Sequence, residues 1–129
     1  MKEKTFEDLI ALMIYQAQTF LEEAGEFFPY ASVLARNNSL ETVGIMNTDD
    51  EDFDALKAIA VFENKIAEQI KSGEIFIGAI GVDVIISETK QNALMIKASD
   101  DGIKWHERNY PYYFSDGKVF INDKVINNG

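Results

Sequence analysis

The chain has 129 residues, no cysteine, and 22 acidic against 12 basic side chains, for a net charge of −10. Disulfides, thiolate metal sites and thiol nucleophiles are excluded outright, and the length suits one domain with an unstapled core. Nucleic-acid affinity comes mostly from neutralising phosphates, and Lys and Arg form no cluster here, so neither DNA nor RNA is an expected partner.

Residues 5–24 read as a helix. Thr5 followed by Asp8 resembles a capping box. Phe6, Leu9, Ile10, Met13, Ala17, Phe20 and Leu21 recur at helical spacing, and Gly25 stands where a left-handed cap belongs. Glu7, Asp8, Glu22 and Glu23 surround this apolar stretch, which therefore suits neither a signal-peptide core nor a membrane span. A cytoplasmic protein is expected.

Residues 27–35 and 40–46 read as a hairpin turned by Arg36, Asn37, Asn38 and Ser39. The acidic run 47–54 leads into a second helix over about 53–71, with Phe53, Leu56, Ile59, Ala60, Ile66 and Ile70 as its stripe. The most apolar segment follows, Ile75 to Ile86, and its β-branched residues predict a central strand. Alternation puts Phe76, Gly78, Ile80, Val82, Val84 and Ile86 on one face. Ile75, Ile77, Ala79, Gly81, Asp83 and Ile85 take the other. The first face is expected to carry the helices and the second, slimmer one to remain open. Gly78 and Gly81 lack the lysine and helix start of a phosphate loop; such small residues let another element approach the sheet.

Strands are further expected over 93–98, 103–114 and 118–122, joined by Asp101-Gly102 and Asp116-Gly117 turns. Pro111 should break the second of these or put it at an edge. The reading is a single α+β domain over residues 1–129, with a polar tail from about residue 123. It is a two-layer antiparallel sheet of five to six strands with both helices on one face, in the order αββαβββ(β). That order looks profilin-like or roadblock-like in outline.

Few residues invite chemistry. Asp50, Asp52 and Asp54 match the first ligand positions of a calcium loop, but Ala55 and Val61 stand where glycine and glutamate are required. They are weak metal candidates beside a helix-capping role. His106 is the only histidine, which rules out a two-histidine zinc site. Asp83, a carboxylate inside an apolar run, would have a raised pKa if buried; the alternative is a wet face with Lys97 or Arg108 as its partner. Asp83 and His106 are the weak catalytic candidates. Trp105, Tyr110 and Tyr112 belong to an aromatic, Arg-containing stretch with the composition of binding hot spots. No cofactor is expected.

Phe27-Phe-Pro-Tyr-Ala31, the acidic loop and helix after it, and Gly73-Glu-Ile-Phe-Ile-Gly-Ala79 leading to Asp83-Val84 resemble a group of small uncharacterised bacterial proteins over roughly residues 26–122. The resemblance implies a bacterial, cytoplasmic single domain, no activity, and no catalytic residue to carry over.

Two functions compete. The first is a non-enzymatic interaction module that binds a protein partner or forms a homodimer through Ile75, Ile77, Ile85, Trp105, Tyr110 and Tyr112; a toxin held by a small acidic immunity protein is one partner class. The second is a small hydrolase or ligand-binding enzyme with Asp83 and His106 in one pocket. The inventory, poor in catalytic residue types, favours the first.

Overall fold

Phe6–Ala24 forms the first helix, α1, in a computed structural model that describes residues 3–45 and 54–122. Its capping box is complete: the Thr5 hydroxyl accepts the Asp8 N–H at 3.3 Å and the Asp8 carboxylate accepts the Thr5 N–H at 2.7 Å. The helix stops at Gly25, whose φ of 78° only glycine adopts cheaply and whose N–H returns to the Leu21 carbonyl.

Strands β1 (Tyr30–Ala35) and β2 (Leu40–Ile45) make the first hairpin. Helix α2 (Ala55–Lys71) follows, then β3 (Ile75–Ile86), β4 (Gln91–Ser99), β5 (His106–Ser115) and β6 (Lys118–Ile121). They form one six-stranded antiparallel sheet in the order β2-β1-β3-β4-β5-β6. The fold is α+β with the expected element order. The ends of the expected hairpin and second helix, Met46 and Phe53, and the tail from residue 123 lie outside the described residues.

The helices do not share a face. Leu9, Met13, Ala17 and Leu21 of α1 pack with Ala79, Leu94, Ile96, Tyr110 and Tyr112. Phe62 and Ile66 of α2 pack with Val33, Ile80 and Val82 on the opposite side. The expected two layers are therefore three, with the sheet between the helices. The reason lies in β3: a strand apolar on both faces has two faces to bury. Its small residues set the approach distances, since a Cβ on Gly78 would lie 2.4 Å from Ile66 and one on Gly81 2.4 Å from the Tyr30 ring.

Three local departures matter for the site. Between Leu34 and Ala35 the register on β3 steps from Ile77 to Ile75, an irregularity that turns Ile75 to the α2 side and leaves Phe76 partly exposed beneath the Arg36 guanidinium, 4.2 Å from its ring centre. Pro111 neither breaks β5 nor sits at its end. It marks the position where β5 changes partners, pairing with β4 up to Pro111 and with β6 from Tyr112 onward. Its missing N–H costs little there, and its carbonyl accepts the Asn122 N–H.

Asp101-Gly102 forms no tight hairpin either. The Asp101 carboxylate accepts the Ile103 and Lys104 N–H groups, both at 2.8 Å, and these bonds hold it below the usual carboxylate range. Residues 103–105 thereby become loop, and Gly102, at φ 75°, lies flat against Ala67 of α2.

Candidate functional site

The α1 helix ends in acid. Glu22 and Glu23 fall in its last turn and Glu26 follows the Gly25 cap, with no basic residue in that turn. The C-terminal end of a helix carries partial negative charge, so carboxylates there cost stability, about 0.3–1 kcal/mol each. Glu22 is compensated, because its carboxylate accepts the Val119 N–H at 3.1 Å. Glu23 and Glu26 instead face a cleft of about 170 Å³ that they line together with Phe20, Ala24, Phe27 and Phe28.

The sequence builds this cleft from a short connector. Gly25 ends the helix, Pro29 fixes the entry to β1, and Phe27 anchors what lies between by packing edge-to-face on Tyr30, 5.6 Å between ring centres. Phe20 meets the same Tyr30 ring at 5.3 Å. Three phenyl rings and two carboxylates thus converge on one concavity. Rings and carboxylates together favour a cation, through the negative ring faces and direct charge pairing.

Asp83 is tied to the same connector from below. It accepts the Tyr112 hydroxyl at 2.6 Å and the Phe27 N–H. Burial raises its pKa; the two hydrogen bonds oppose that shift and the Glu26 charge adds to it. Burial likewise pushes the Tyr112 phenol up, reinforced by the Asp83 hydrogen bond. The partners considered from sequence are occupied elsewhere: Lys97 pairs with Glu63 of α2 at 3.4 Å, and Arg108 with Glu7 at 3.3 Å.

A second cleft, about 240 Å³, lies at the other end of α1 between Phe6, Ile77, Ala98, Ser99, Asp100 and His106. His106 and Asp83 are on the same face, as a shared pocket would require, but far apart. Asp83 lies opposite Leu94 and His106 opposite Ala98. Four residues of strand separate those levels, about 13 Å at roughly 3.3 Å per residue. No proton passes directly between them. Ser99 offers no nucleophile, since its hydroxyl accepts the Asp101 and Gly102 N–H groups and contacts the Asp101 carboxylate.

The aromatic and aliphatic candidates scatter. Ile75, Tyr110 and Tyr112 are core residues, at 2%, 1% and 4% exposure. Ile77 packs partly buried against the α1 cluster. Trp105 packs against the α2 cluster with Lys97 5.9 Å from its ring centre. Ile85 alone is largely exposed, at 65%. The slimmer face expected to be open is covered by α1 around Ile77 and Ala79, and stays exposed at Ile85.

Asp54 is the N-cap of α2, its carboxylate accepting the Leu56 N–H at 2.9 Å; Asp50 and Asp52 lie outside the described residues. Among the described residues no group of three His, Asp or Glu side chains could hold a metal ion, and no helix is long and apolar enough to cross a membrane.

From sequence, Glu23 reads as part of the acidic flank of α1, Phe20 as a core position and Phe27 as the start of a strand, and neither they nor Glu26 read as a site. The signal was there: carboxylates at the wrong end of a helix, followed at once by Phe27-Phe28-Pro29. In comparisons with known proteins the chain matches no family model, no curated protein and no solved structure.

Proposed function

We propose that this chain is a non-enzymatic interaction module that receives a basic segment of a partner protein in the cleft at the C-terminal end of α1. One observation carries the reading: Glu23 and Glu26 stand against the negative end of the helix dipole and line, with three phenylalanines, a concave site. Among the described residues neither carboxylate forms an ion pair, and a locally unfavourable arrangement of this kind marks a functional position. A lysine or arginine side chain from a partner would offset both carboxylates and lie across the rings, a contact worth about 0.5–2 kcal/mol from the rings alone. The net charge of −10 adds long-range attraction for such a partner. Separation of Asp83 from His106 weighs against the hydrolase reading.

The test is fluorescence anisotropy of a labelled nona-arginine peptide in low salt. Glu23→Gln/Glu26→Gln should weaken binding at least tenfold, whereas Glu63→Gln/Glu68→Gln, which removes equal charge from α2, should weaken it by less than threefold. Equal losses in both pairs would mean attraction to the overall charge and no site. Sedimentation of the free chain addresses the homodimer: a monomer that binds the peptide fits the proposal, and a dimer that the Glu23/Glu26 pair of changes leaves unable to bind fits it too.

A further inference from the structure

Both arginines of the chain lie over phenylalanine rings. The Arg36 guanidinium sits 4.2 Å from the centre of the Phe76 ring, and that of Arg108 sits 4.8 Å from the centre of the Phe6 ring. Arg108 also pairs at 3.3 Å with Glu7, in the first turn of α1. Ring, helix-end carboxylate and guanidinium thus form a complete set at the N-terminal end of α1. At its C-terminal end the cleft repeats the rings and the carboxylates, Phe20, Phe27 and Phe28 beside Glu23 and Glu26, and neither arginine of the chain stands there. We propose that this cleft is an arginine-selective site whose occupant is a guanidinium brought by a different protein.

The inference rests on the docking function and narrows it from any basic segment to one cation chemistry. The choice follows from the two kinds of group that line the cleft. A lysine ammonium pairs with a carboxylate, but it is compact and strongly hydrated, so laying it on phenyl rings strips water that the rings replace poorly. A quaternary ammonium suits the rings and has no N–H to give the carboxylates. A guanidinium serves both at once. It is weakly hydrated and planar, so its face lies on a ring while its edge directs N–H donors at carboxylates. Glu23 and Glu26 stand on either side of Gly25, two acceptors for one fork, and a cleft of about 170 Å³ holds one side chain rather than a whole element.

The rest of the molecule follows the same preference. Lys97 is the one lysine over a ring among the described residues; it stays 5.9 Å from the Trp105 ring centre and gives its charge to Glu63. A second copy of this chain is a poor source of the guanidinium. Arg36 would have to leave Phe76, and Arg108 would have to leave both Phe6 and Glu7. Two copies at −10 each also repel one another. The chemistry therefore points to an exposed arginine on a basic protein of another kind.

The experiment compares labelled nona-arginine with nona-lysine, equal in length and charge, by fluorescence anisotropy on the full chain at low salt. Nona-arginine should bind the wild-type chain at least about fivefold more tightly. Phe20→Leu/Phe28→Leu keeps the apolar bulk and removes two rings, and should bring the ratio of affinities below about twofold. Each ratio is taken on one protein, so a fraction that fails to fold weakens both peptides alike and leaves the ratio unchanged. Equal affinities on wild type, tighter binding of nona-lysine, or a preference that survives the loss of both rings overturns arginine selection. The Glu23→Gln/Glu26→Gln pair separates this from the docking function. If those changes weaken two equally bound peptides alike, docking stands and selection falls; if neither peptide responds to them, docking falls and takes selection with it.

Discussion

The Tyr112 hydroxyl reaches across the sheet to Asp83, donating a 2.6 Å hydrogen bond from β5 to β3 over the intervening β4. It joins an aromatic residue expected at a docking surface to a carboxylate expected at a catalytic one. In the fold, each answers the other. Tyr112 is buried because α1 covers this face, and Asp83 tolerates partial burial because Tyr112 and Phe27 supply donors.

Stability should carry the signature of that carboxylate. Its folded-state pKa is raised, so the contribution is fully present below the unfolded value, about 3.9, and is lost as pH rises through the folded value. Urea denaturation at a series of pH values should show wild type gaining stability on acidification through this window relative to Asp83→Asn, which cannot titrate. A gap that moves the other way would mean that the hydrogen bonds outweigh burial.

Gly78→Ala tests the close approach of α2. The added methyl would meet Ile66 at 2.4–2.9 Å, and Ile66 is buried and β-branched, with little room to turn. Thermal denaturation should show a loss of about 1–3 kcal/mol. Gly78→Ala with Ile66→Val should recover part of it relative to the sum of the single changes.

Asp54→Ala should cost about 1 kcal/mol, the usual loss for an N-cap carboxylate. The same loss is expected with and without millimolar Ca²⁺, because Asp54 is spent on the Leu56 N–H. A melting temperature that rises with Ca²⁺ in wild type but not in Asp54→Ala would restore a metal to the acidic run.

Tyr110→Ala and Ile85→Ser separate core from surface among the residues that the sequence offers as a binding set. Tyr110 is 1% exposed, and its truncation should cost about 3–5 kcal/mol in chemical denaturation. Ile85 is 65% exposed and its replacement should stay within about 0.5 kcal/mol.

Where the sequence could be read, periodicity and caps did the reading. Thr5, Asp8 and Gly25 bracket α1, and the apolar run of β3 lies at the centre of the sheet between β1 and β4. What stayed hidden depended on which elements become neighbours. The face of β3 that holds Ala79, Gly81 and Asp83 reads as thin, yet thinness is what admits α1 and the Tyr30 ring. Asp101 looks like a hairpin residue until its side chain captures two backbone N–H groups and lengthens the loop. For the site, the residues that sequence reasoning weighed were single and conspicuous, Asp83 and His106. The residues that converge, Glu23, Glu26, Phe20 and Phe27, are ordinary one by one and meet only because Gly25 and Pro29 bend the chain between α1 and β1.

The most direct test of the docking reading is a ¹H–¹⁵N titration of the labelled chain with unlabelled nona-arginine. The largest shift changes should fall on Phe20, Glu23, Glu26, Phe27 and Phe28 and fade as salt shortens the reach of charge. Changes centred on α2, or spread evenly over the acidic surface, would contradict it.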